Sequence, residues 1–255
     1  MGLFIQSFSS FFGASKFIRK NKLYYFYVIP FLVSIVAYYF LFKLVSTYTH
    51  LGIDWLTDRF GIEAFIQSHE TAWWGKVLKW FEWLVEIIFV LFVFLISMII
   101  NKYILLAALS PWFAYISEKT ESVLVGTDYK TTLAQLLKDA WRGVLISGRN
   151  FIYEISVNLF CFVLSIFVPI LAPVVFAINL YIGSYFYGFS MIDYVCERKE
   201  MGVKQSVLYI RKNKQVALGI GFGMWVLNYI PVFGLTYASV NGAVSASLQL
   251  GESKK

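Results

Sequence analysis

Two long uncharged stretches decide the fold: ISVNLFCFVLSIFVPILAPVVFAINLYIGSYFYGFSMI at residues 155–192 and QVALGIGFGMWVLNYIPVFGLTYASVNGAVSASLQL at residues 215–250. Prolines interrupt both of them, at Pro169 and Pro173 in the first stretch and at Pro231 in the second. A proline ends or kinks a helix, because its ring clashes with the preceding turn and it has no N–H to donate. Each stretch therefore predicts a hairpin of two apolar helices joined by a proline turn.

The arms of these hairpins are short, at about 14 to 19 residues each. Two upright crossings of a bilayer with a turn between them need on the order of 42 residues, whereas the stretches hold 38 and 36. We therefore expect the hairpin at 155–192 (hairpin 1) and the hairpin at 215–250 (hairpin 2) to penetrate the membrane only partly. Their tips would be buried against protein, because unpaired backbone groups are costly in lipid.

The composition identifies an integral membrane protein. Of the 255 residues, 59% are hydrophobic, 20% aromatic and only 15% charged. Soluble domains are roughly 45–50% apolar and 25% charged, so this chain could not cover its apolar surface with polar side chains. This excludes a soluble enzyme, a disordered tail and a secreted disulfide scaffold, and we expect Cys161 and Cys196 to be free thiols. The net charge of +7 then indicates contact with anionic headgroups or an anionic solute rather than with nucleic acid.

Further segments complete the predicted all-α architecture. Apolar segments predict two long transmembrane helices, span 1 at 23–42 and span 2 at 83–110. A Phe-rich amphipathic segment at 4–17 predicts an interfacial helix, and 118–154 predicts an amphipathic region on the cytoplasmic surface. The fold class is therefore an all-α integral membrane protein with two spans, two partly penetrating hairpins and amphipathic interfacial helices.

The placement of Lys and Arg predicts the topology, because basic segments face the cytoplasm. Segment 1–22 holds four basic residues and no acids, and segment 193–214 holds six, whereas segment 44–82 holds three basic residues against five acids. We therefore expect 44–82 to be external and 193–214 to be cytoplasmic, with both hairpins entering from and returning to the cytoplasmic side. Residues 1–255 are interpreted as a single membrane domain with both termini in the cytoplasm.

Basic side chains before two apolar helices are candidate anion ligands. The sequence IRKNK occurs at 18–22 and again at 210–214, each time directly before an apolar helix. Helix N-termini favour anions, and Lys and Arg bind oxyanions such as sulfate or phosphate. The alternative is a topology signal that contacts lipid headgroups. The candidate anion-binding residues are Arg19, Lys20, Lys22, Arg211, Lys212 and Lys214.

Polar residues inside the apolar segments are candidates for lining a solute pathway. An amide in hydrocarbon is costly unless it is paired, so each should face protein or water. A polar pore lining and hydrogen bonding between helices both fit this pattern, and Lys102 fits either a pathway cation or a snorkelling side chain. The candidate pathway-lining residues are Asn158, Asn179, Asn228, Asn241 and Lys102.

Small residues recur at helical spacing in hairpin 2. Gly219 and Gly223 form a GxxxG pattern, and Ser239, Ala243 and Ser247 recur four residues apart. Such residues let helix backbones approach closely. They predict either packing within the protomer or an interface between identical subunits.

No catalytic or cofactor motif accompanies these candidates. The sequence has no HExxH, no GxSxG, no Walker-type glycine loop and no Cys/His ligand set. His50 and His69 are interpreted as loop or interfacial residues. We therefore expect neither an enzyme nor a metal or other cofactor. Two functions fit the pattern: a transporter or channel for a small oxyanion, and a non-transporting membrane scaffold or membrane-shaping protein built on wedge-like hairpins.

Several short segments, taken in order and spacing, resemble the sulfate permease family that includes bacterial CysZ and the eukaryotic etoposide-induced 2.4 membrane proteins. The segments are LSPWFAYISEKTE at 109–121, MIDY at 191–194 with Arg198 and Gly202, GFG at 221–223, IP at 230–231 and VNGA at 240–243. The resemblance covers about residues 8 to 250. It implies two long spanning helices, partly penetrating hairpins, oligomers, and sulfate uptake for cysteine synthesis across the bacterial inner membrane.

The resemblance also implies sulfate contacts from a Gly-Leu-Arg-type segment just before the first span. The matching place here holds KLYY at 22–25. Basic residues stand earlier instead, at Arg19 and Lys20 as well as Lys22. The first hypothesis remains a membrane transporter or channel that passes a small oxyanion, sulfate foremost, with membrane lipids and further copies of the chain as partners.

Overall fold

The structure is a computed structural model in which residues 2–60, 73–126, 133–230 and 232–251 are described. Every described element is an α-helix or a short 3-10 helix, so the predicted all-α class is confirmed. The α-helices are α1 (Gly2–Lys20), α2 (Val28–Phe60), α3 (Trp73–Ala108), α4 (Ser110–Val125), α5 (Leu133–Phe167), α6 (Ala172–Arg198), α7 (Val203–Lys212), α8 (Lys214–Leu227) and α9 (Phe233–Leu250). The 3-10 helices Tyr24–Tyr27 and Pro169–Leu171 precede α2 and α6.

Some sequence predictions fall outside the described residues. They are the middle of the expected external segment, at 61–72, together with His69 and the turn residue Pro231 of hairpin 2.

Among the described residues, four helices are long and apolar enough to cross a membrane, judged by length and composition. These candidate spans are Tyr24–Thr49, Glu86–Ala108, Ala140–Phe167 and Pro169–Arg198. The first two coincide with the predicted spans 1 and 2. At the end of span 2 the helix stops at Ala108, and a new helix begins at Ser110 with Pro111 in its first turn, where a missing N–H costs nothing.

The prediction of short arms is wrong for hairpin 1. Its two arms are α5, with 35 residues, and α6, with 27. They exceed the uncharged stretch because the helices continue through charged residues, such as Glu154 in α5 and Asp193 in α6. The predicted boundary between region 118–154 and hairpin 1 therefore falls inside one continuous helix. Both arms are long enough to cross a bilayer, and partial entry of hairpin 1 stays a prediction.

Hairpin 2 has the short arms that the sequence predicts. Its helices α8 and α9 contain 14 and 18 residues. They pack as an antiparallel pair, since Met224 of α8 lies against Gly242 of α9, and Leu227 lies against Gly234 nearer the tip. The depth to which hairpin 2 enters a membrane stays a prediction.

The helix α9 contacts α1 along its second half and the start of α2 along its first turns. Near the C-terminal end of α9, the Ser7 hydroxyl donates to Gln249 Oε1 at 2.6 Å. Near its N-terminal end, the ring centroids of Phe31 and Phe233 are 5.5 Å apart. The chain therefore follows α9 from its C-terminal to its N-terminal end, first as α1 and then as α2.

The helix α1 has the amphipathic character predicted for 4–17. Its buried residues Ser7, Phe11, Ala14 and Ile18 recur at helical spacing, and the helix packs against α8 and α9. One face of α1 is therefore covered by hairpin 2. Whether α1 lies at a membrane interface stays a prediction.

The predicted GxxxG of hairpin 2 packs within the chain. Gly219 faces the main chain of Phe4 and the side chain of Ser7, and Gly223 faces the ring of Phe11. The contacts advance in the same direction along both helices, so α1 and α8 run parallel. These two glycines therefore serve packing within the protomer.

The helices α6 and α8 approach each other at backbone distance. A Cβ added to Gly221 would overlap the carbonyl oxygen of Ser184, and one added to Gly188 would overlap that of Ala217. Close approach brings many atoms of both helices into van der Waals contact. As a result α8 packs against α1, α6 and α9 at the same time.

The chain divides into two compact units, Met1–Val36 with Tyr103–Lys255, and Ala37–Lys102. The first unit contains α1, α4 and both hairpins. In the second unit, the remainder of α2 and most of α3 contact each other where the ring of Phe89 faces Gly52. The interpretation of the whole chain as one membrane domain stays a prediction.

We expect Gly221→Ala to destabilise the protein, because the added methyl group would overlap the carbonyl oxygen of Ser184. Overpacking of a tight interior contact costs about 1–3 kcal/mol. Thermal unfolding of the purified protein in a mild detergent should therefore show a lower melting temperature.

Gly148→Ala provides the matched control, since Gly148 is an exposed glycine of α5 with nothing within 4 Å of an added methyl group. Alanine is favoured over glycine in a helix by up to about 1 kcal/mol, so this variant should melt at the same or a slightly higher temperature. Equal melting temperatures for the two variants would contradict the backbone contact between α6 and α8.

Candidate functional site

All six predicted anion-binding side chains are exposed, and none of them has an ion-pair partner among the described residues. Four of them occupy the last turn of a helix, and not the first turn of the apolar helix that follows: Arg19 and Lys20 in α1, and Arg211 and Lys212 in α7. A cation is favoured there by the negative end of the helix dipole. The remaining two are Lys22, in the turn after α1, and Lys214, the first residue of α8.

The two groups of cations do not form one site. The helices α1 and α8 run parallel, with the rings of Phe4 and Phe222 6.0 Å apart. Arg19 lies beyond this contact at one end of α1, whereas Lys214 lies before it at the start of α8. At 1.5 Å per residue, roughly 30 Å separate the two groups. One small oxyanion therefore cannot contact both groups at once.

Main-chain hydrogen bonds hold the turn between α1 and α2. The Leu23 N–H donates to the carbonyl of Ile18 at 3.0 Å, and the Lys22 N–H donates to that of Arg19 at 3.2 Å. This is the Schellman pattern that ends many helices, and the buried side chains of Ile18 and Leu23 supply its apolar pair. Lys22 takes the left-handed position of the motif, with a φ of 56°, where glycine is favoured.

A cavity of about 520 Å³ opens beside this turn, and we name it the α1–α2 cavity. It is bounded by the end of α1, the start of α2 and the start of α9. Arg19 is the charged residue among the lining residues that the structure describes. Tyr24, which stands in the segment where the resemblance implies an arginine, lines the same cavity. Arg19 therefore brings a guanidinium to this place from the preceding helix.

Sequence reasoning missed a buried ion pair between the two arms of hairpin 1. Arg142 of α5 donates to both carboxylate oxygens of Asp193 of α6, with Nη2–Oδ1 at 2.9 Å and Nε–Oδ2 at 3.1 Å. The same guanidinium donates to the Met201 carbonyl and the Ser206 hydroxyl, and Glu197 Oε1 lies 3.9 Å from its Nε. The Arg142 and Asp193 side chains are 14% and 4% exposed. The pair ties α5, α6 and α7 together.

A second buried ion pair joins α4 to α6. Arg198 pairs with Glu121 and donates to the carbonyl of Ser117 at 2.6 Å, and both charged side chains are almost fully buried. Asp193, Arg198 and Glu121 all belong to the segments that carry the family resemblance. Two of the segments that carry the resemblance therefore supply residues to ion pairs between helices. Asp193 could have indicated such a pair from the sequence. It directly follows 38 uncharged residues, and an acid in that position must be paired if it is buried.

A buried carboxylate also lies inside the candidate span Ala140–Phe167. Glu154 is 5% exposed, and its Oε2 accepts a hydrogen bond from the Tyr103 hydroxyl at 2.6 Å. The sequence interpretation placed Glu154 at the edge of a cytoplasmic surface region and so did not single it out. The sequence pattern did not indicate that Glu154 is buried, because the face of α5 that contacts the neighbouring helices depends on tertiary packing.

The candidate pathway asparagines form no hydrogen bond to one another in the part of the chain that the structure describes. Asn158 and Asn241 each donate to the main-chain carbonyl four residues earlier, at 2.7 and 3.0 Å. The side-chain oxygens of Asn179 and Asn241 are buried and accept no hydrogen bond from the residues that the structure describes. Asn228 directly follows α8. A role for these amides in a solute pathway stays a prediction.

The sequence also provided expectations for Lys102, as a candidate pathway cation or a snorkelling side chain, and for the two cysteines, as free thiols. Lys102 is buried, with 4% exposed, which does not fit a snorkelling side chain. Cys161 and Cys196 are both free, as expected. Among the described residues, no group of three or more His, Cys, Asp or Glu side chains is arranged to hold a metal ion.

Comparison with known proteins relates this chain to a protein family and to a bacterial protein. A family model described as sulfate transporter CysZ/etoposide-induced protein 2.4 matches residues 10–238. A protein of Pseudomonas fluorescens (strain Pf0-1) named "Sulfate transporter CysZ" is 24% identical over 191 residues, an alignment that covers 70% of this chain and 76% of that protein.

We expect Lys22→Gly to raise the melting temperature, because glycine adopts a φ of 56° without a steric penalty. A residue with a side chain costs about 1–2 kcal/mol in this conformation, so the gain should be about 1 kcal/mol. Lys20→Gly is the control, since it removes the same charge from a helical position, and it should lower the melting temperature. A rise in both variants would assign the effect to charge and not to backbone conformation.

Arg142→Met is expected to cost about 3–5 kcal/mol, because it leaves the carboxylate of Asp193 buried without its cation. Combining it with Asp193→Leu should recover most of that loss, since an apolar pair of similar volume can replace a buried ion pair. Unfolding of the single and double variants in detergent measures this coupling. If the double variant were less stable than the single one, Asp193 would have to be stabilised by groups other than Arg142.

Proposed function

We propose that this chain, which belongs to the sulfate transporter CysZ/etoposide-induced protein 2.4 family, passes a small oxyanion across a bacterial inner membrane. Sulfate is the first candidate solute, in keeping with the name of the Pseudomonas fluorescens relative. Uptake of sulfate would supply sulfur assimilation and cysteine synthesis. The four candidate spans and the apolar composition support a multi-pass membrane location for this activity.

The distribution of cations carries the proposal. The side chains of Arg142 and Arg198 are largely buried and neutralised by carboxylates. The six cations at the ends of α1 and α7 and the start of α8 are exposed and have no ion-pair partner among the described residues. Exposed cations next to apolar helices raise the local concentration of anions. Guanidinium and ammonium groups also donate several hydrogen bonds to an oxyanion. The surface of this protein is therefore suited to attracting sulfate.

The separation of the two cation groups defines their proposed roles. Because roughly 30 Å lie between Arg19 and Lys214 along α1 and α8, each group would attract an anion independently. Neither group forms a closed binding pocket of several converging cations. Steering towards an entrance, and not tight binding, is the role that fits such exposed charges.

We propose that hairpin 2 enters the membrane only partly and so acts as a wedge. Its tip residue Phe233 lies beside Phe31, which is only seven residues after the start of the candidate span Tyr24–Thr49. The tip would then reach the first part of span 1 and stop well short of its far end. The short arms of α8 and α9 support the same arrangement. The buried amide oxygen of Asn241 would lie on the protein-facing side of this wedge.

The second candidate function is a membrane scaffold or membrane-shaping protein. The observation that favours it is the packing of the amphipathic helix α1 against the short hairpin 2. A wedge of this kind displaces lipid in one leaflet. The scaffold predicts lipid binding without solute flux, so a transport assay separates the two functions.

Sulfate flux into proteoliposomes tests the proposal. The purified full chain should carry radiolabelled sulfate faster than empty liposomes. Replacing all six exposed cations by glutamine, at Arg19, Lys20, Lys22, Arg211, Lys212 and Lys214, should lower the initial rate by at least about tenfold, because electrostatic attraction of the anion is lost.

A variant with Lys16→Gln and Lys204→Gln is the control, since both lysines are exposed and lie outside the two cation groups. It should keep nearly all of the flux. Transport is refuted if the wild-type chain matches empty liposomes across a range of pH and sodium concentration. Unchanged flux in the six-glutamine variant would refute the role of the cations.

A further inference from the structure

We propose that the α1–α2 cavity binds an anionic phospholipid, with the phosphate held at Arg19 and an acyl chain lying between the starts of α2 and α9. The site shares Arg19 with the proposed anion-attracting cations, but lipid binding there requires no solute flux. The proposal follows from the size of the cavity, the order of polar and apolar groups along it, and its single described cation.

The size of the cavity fits an organic ligand better than a small ion. Its volume of about 520 Å³ lies within the range of roughly 300–1,000 Å³ that is typical of sites for small organic molecules. Five of its lining residues are purely apolar, and they are Ile18, Val28, Phe31, Leu32 and Phe233. An apolar wall of this extent stabilises a hydrocarbon chain by removing its surface from water.

Polarity changes along the cavity in the order that a lipid requires. The end nearest the turn between α1 and α2 carries the guanidinium of Arg19 and the hydroxyl of Tyr24. One to two turns further along α2, and in the first turn of α9, the lining includes Phe31, Leu32 and Phe233, with the hydroxyl of Thr236 as a polar group among them. The polar end lies where the candidate span begins, and the apolar end lies within it. A headgroup at the interface and an acyl chain along the span would therefore meet matching surfaces.

The charge at the polar end selects an anionic headgroup. Arg19, Lys20 and Lys22 are exposed and have no ion-pair partner among the described residues. Each basic residue close to a membrane surface attracts anionic lipid by about 1 kcal/mol. A neutral headgroup would gain none of this attraction. Selectivity for anionic over zwitterionic phospholipid is therefore expected.

The same walls make this cavity unsuitable for a dissolved oxyanion. A sulfate ion in the apolar part would lose its hydration and find no second cation among the described lining residues. The loss of hydration of an ion is repaid only when charges and hydrogen-bond donors surround it. A phospholipid avoids this loss, because only its phosphate contacts Arg19 and its chain enters the apolar part.

Lipid retention by the full chain tests the site. The protein is purified in a mild detergent, exposed to equal amounts of phosphatidylglycerol and phosphatidylcholine, and the bound lipids are counted by native mass spectrometry. Wild-type protein should retain phosphatidylglycerol in preference to phosphatidylcholine. Arg19→Gln should lower the retained phosphatidylglycerol about fivefold, the effect of about one basic residue, and Arg19→Lys should keep most of it.

Control and cavity-filling variants locate the lipid. Lys16→Gln removes an equal, exposed charge from α1 one turn earlier, outside the cavity lining, and should leave retention unchanged. Val28→Trp and Leu32→Trp each fill the cavity from a side chain that is more than half exposed, and should lower phosphatidylglycerol retention although Arg19 is present. The melting temperature of every variant in the same detergent shows whether it has folded.

Several results would overturn the assignment. They are equal retention of the two lipids, an unchanged signal in Arg19→Gln, and full retention in both tryptophan variants. Displacement of phosphatidylglycerol by sodium sulfate but not by sodium chloride of equal ionic strength would assign the cavity to a dissolved oxyanion instead. None of these readouts measures flux, so a failed transport assay and a failed lipid site are distinguishable.

Discussion

The backbone contact between α6 and α8 supports the rest of the larger unit. Gly188 and Gly221 leave no room for a side chain between the two helices. In lipid, apolar side chains gain little by moving from lipid to protein, so association depends on close van der Waals packing. With α8 fixed against α6, its other faces receive α1 and α9. The N-terminal helix is thereby tied to hairpin 2, and its last turn brings Arg19 to the start of the first span.

The placement of charged side chains depends on the scarcity of water inside a membrane. A charge inside a helical membrane protein must be paired or moved to an end. Arg142 and Arg198 take the first course, since Asp193 and Glu121 neutralise them between helices. The exposed cations near Arg19 and Lys214 instead lie at helix ends. This sorting separates charges that hold helices together from charges that remain available to an anion or a lipid headgroup.

Helix lengths show where reasoning from the sequence succeeded and where it failed. Composition and proline placement predicted the all-α class, the two spans and the short arms of hairpin 2. Hairpin 1 was misjudged because charged residues were taken as helix ends. In the structure Asp193 lies inside α6, where Arg142 pairs with it, so the helix does not need to end at the last uncharged residue. The cations were found by their sequence pattern, but the roughly 30 Å between the two groups depends on how α1 lies on α8.

The sequence by itself determined that the chain is helical and apolar, where its prolines interrupt the hairpins, and which basic residues flank apolar helices. Those properties are local, because they depend on side-chain chemistry and on spacing along the chain. The tertiary structure alone decided that Arg142 meets Asp193, that Arg198 meets Glu121, and that Arg19 lines a cavity with residues of α9. These contacts join residues far apart in the chain, and their geometry depends on which helix faces pack together. No local pattern encodes that choice.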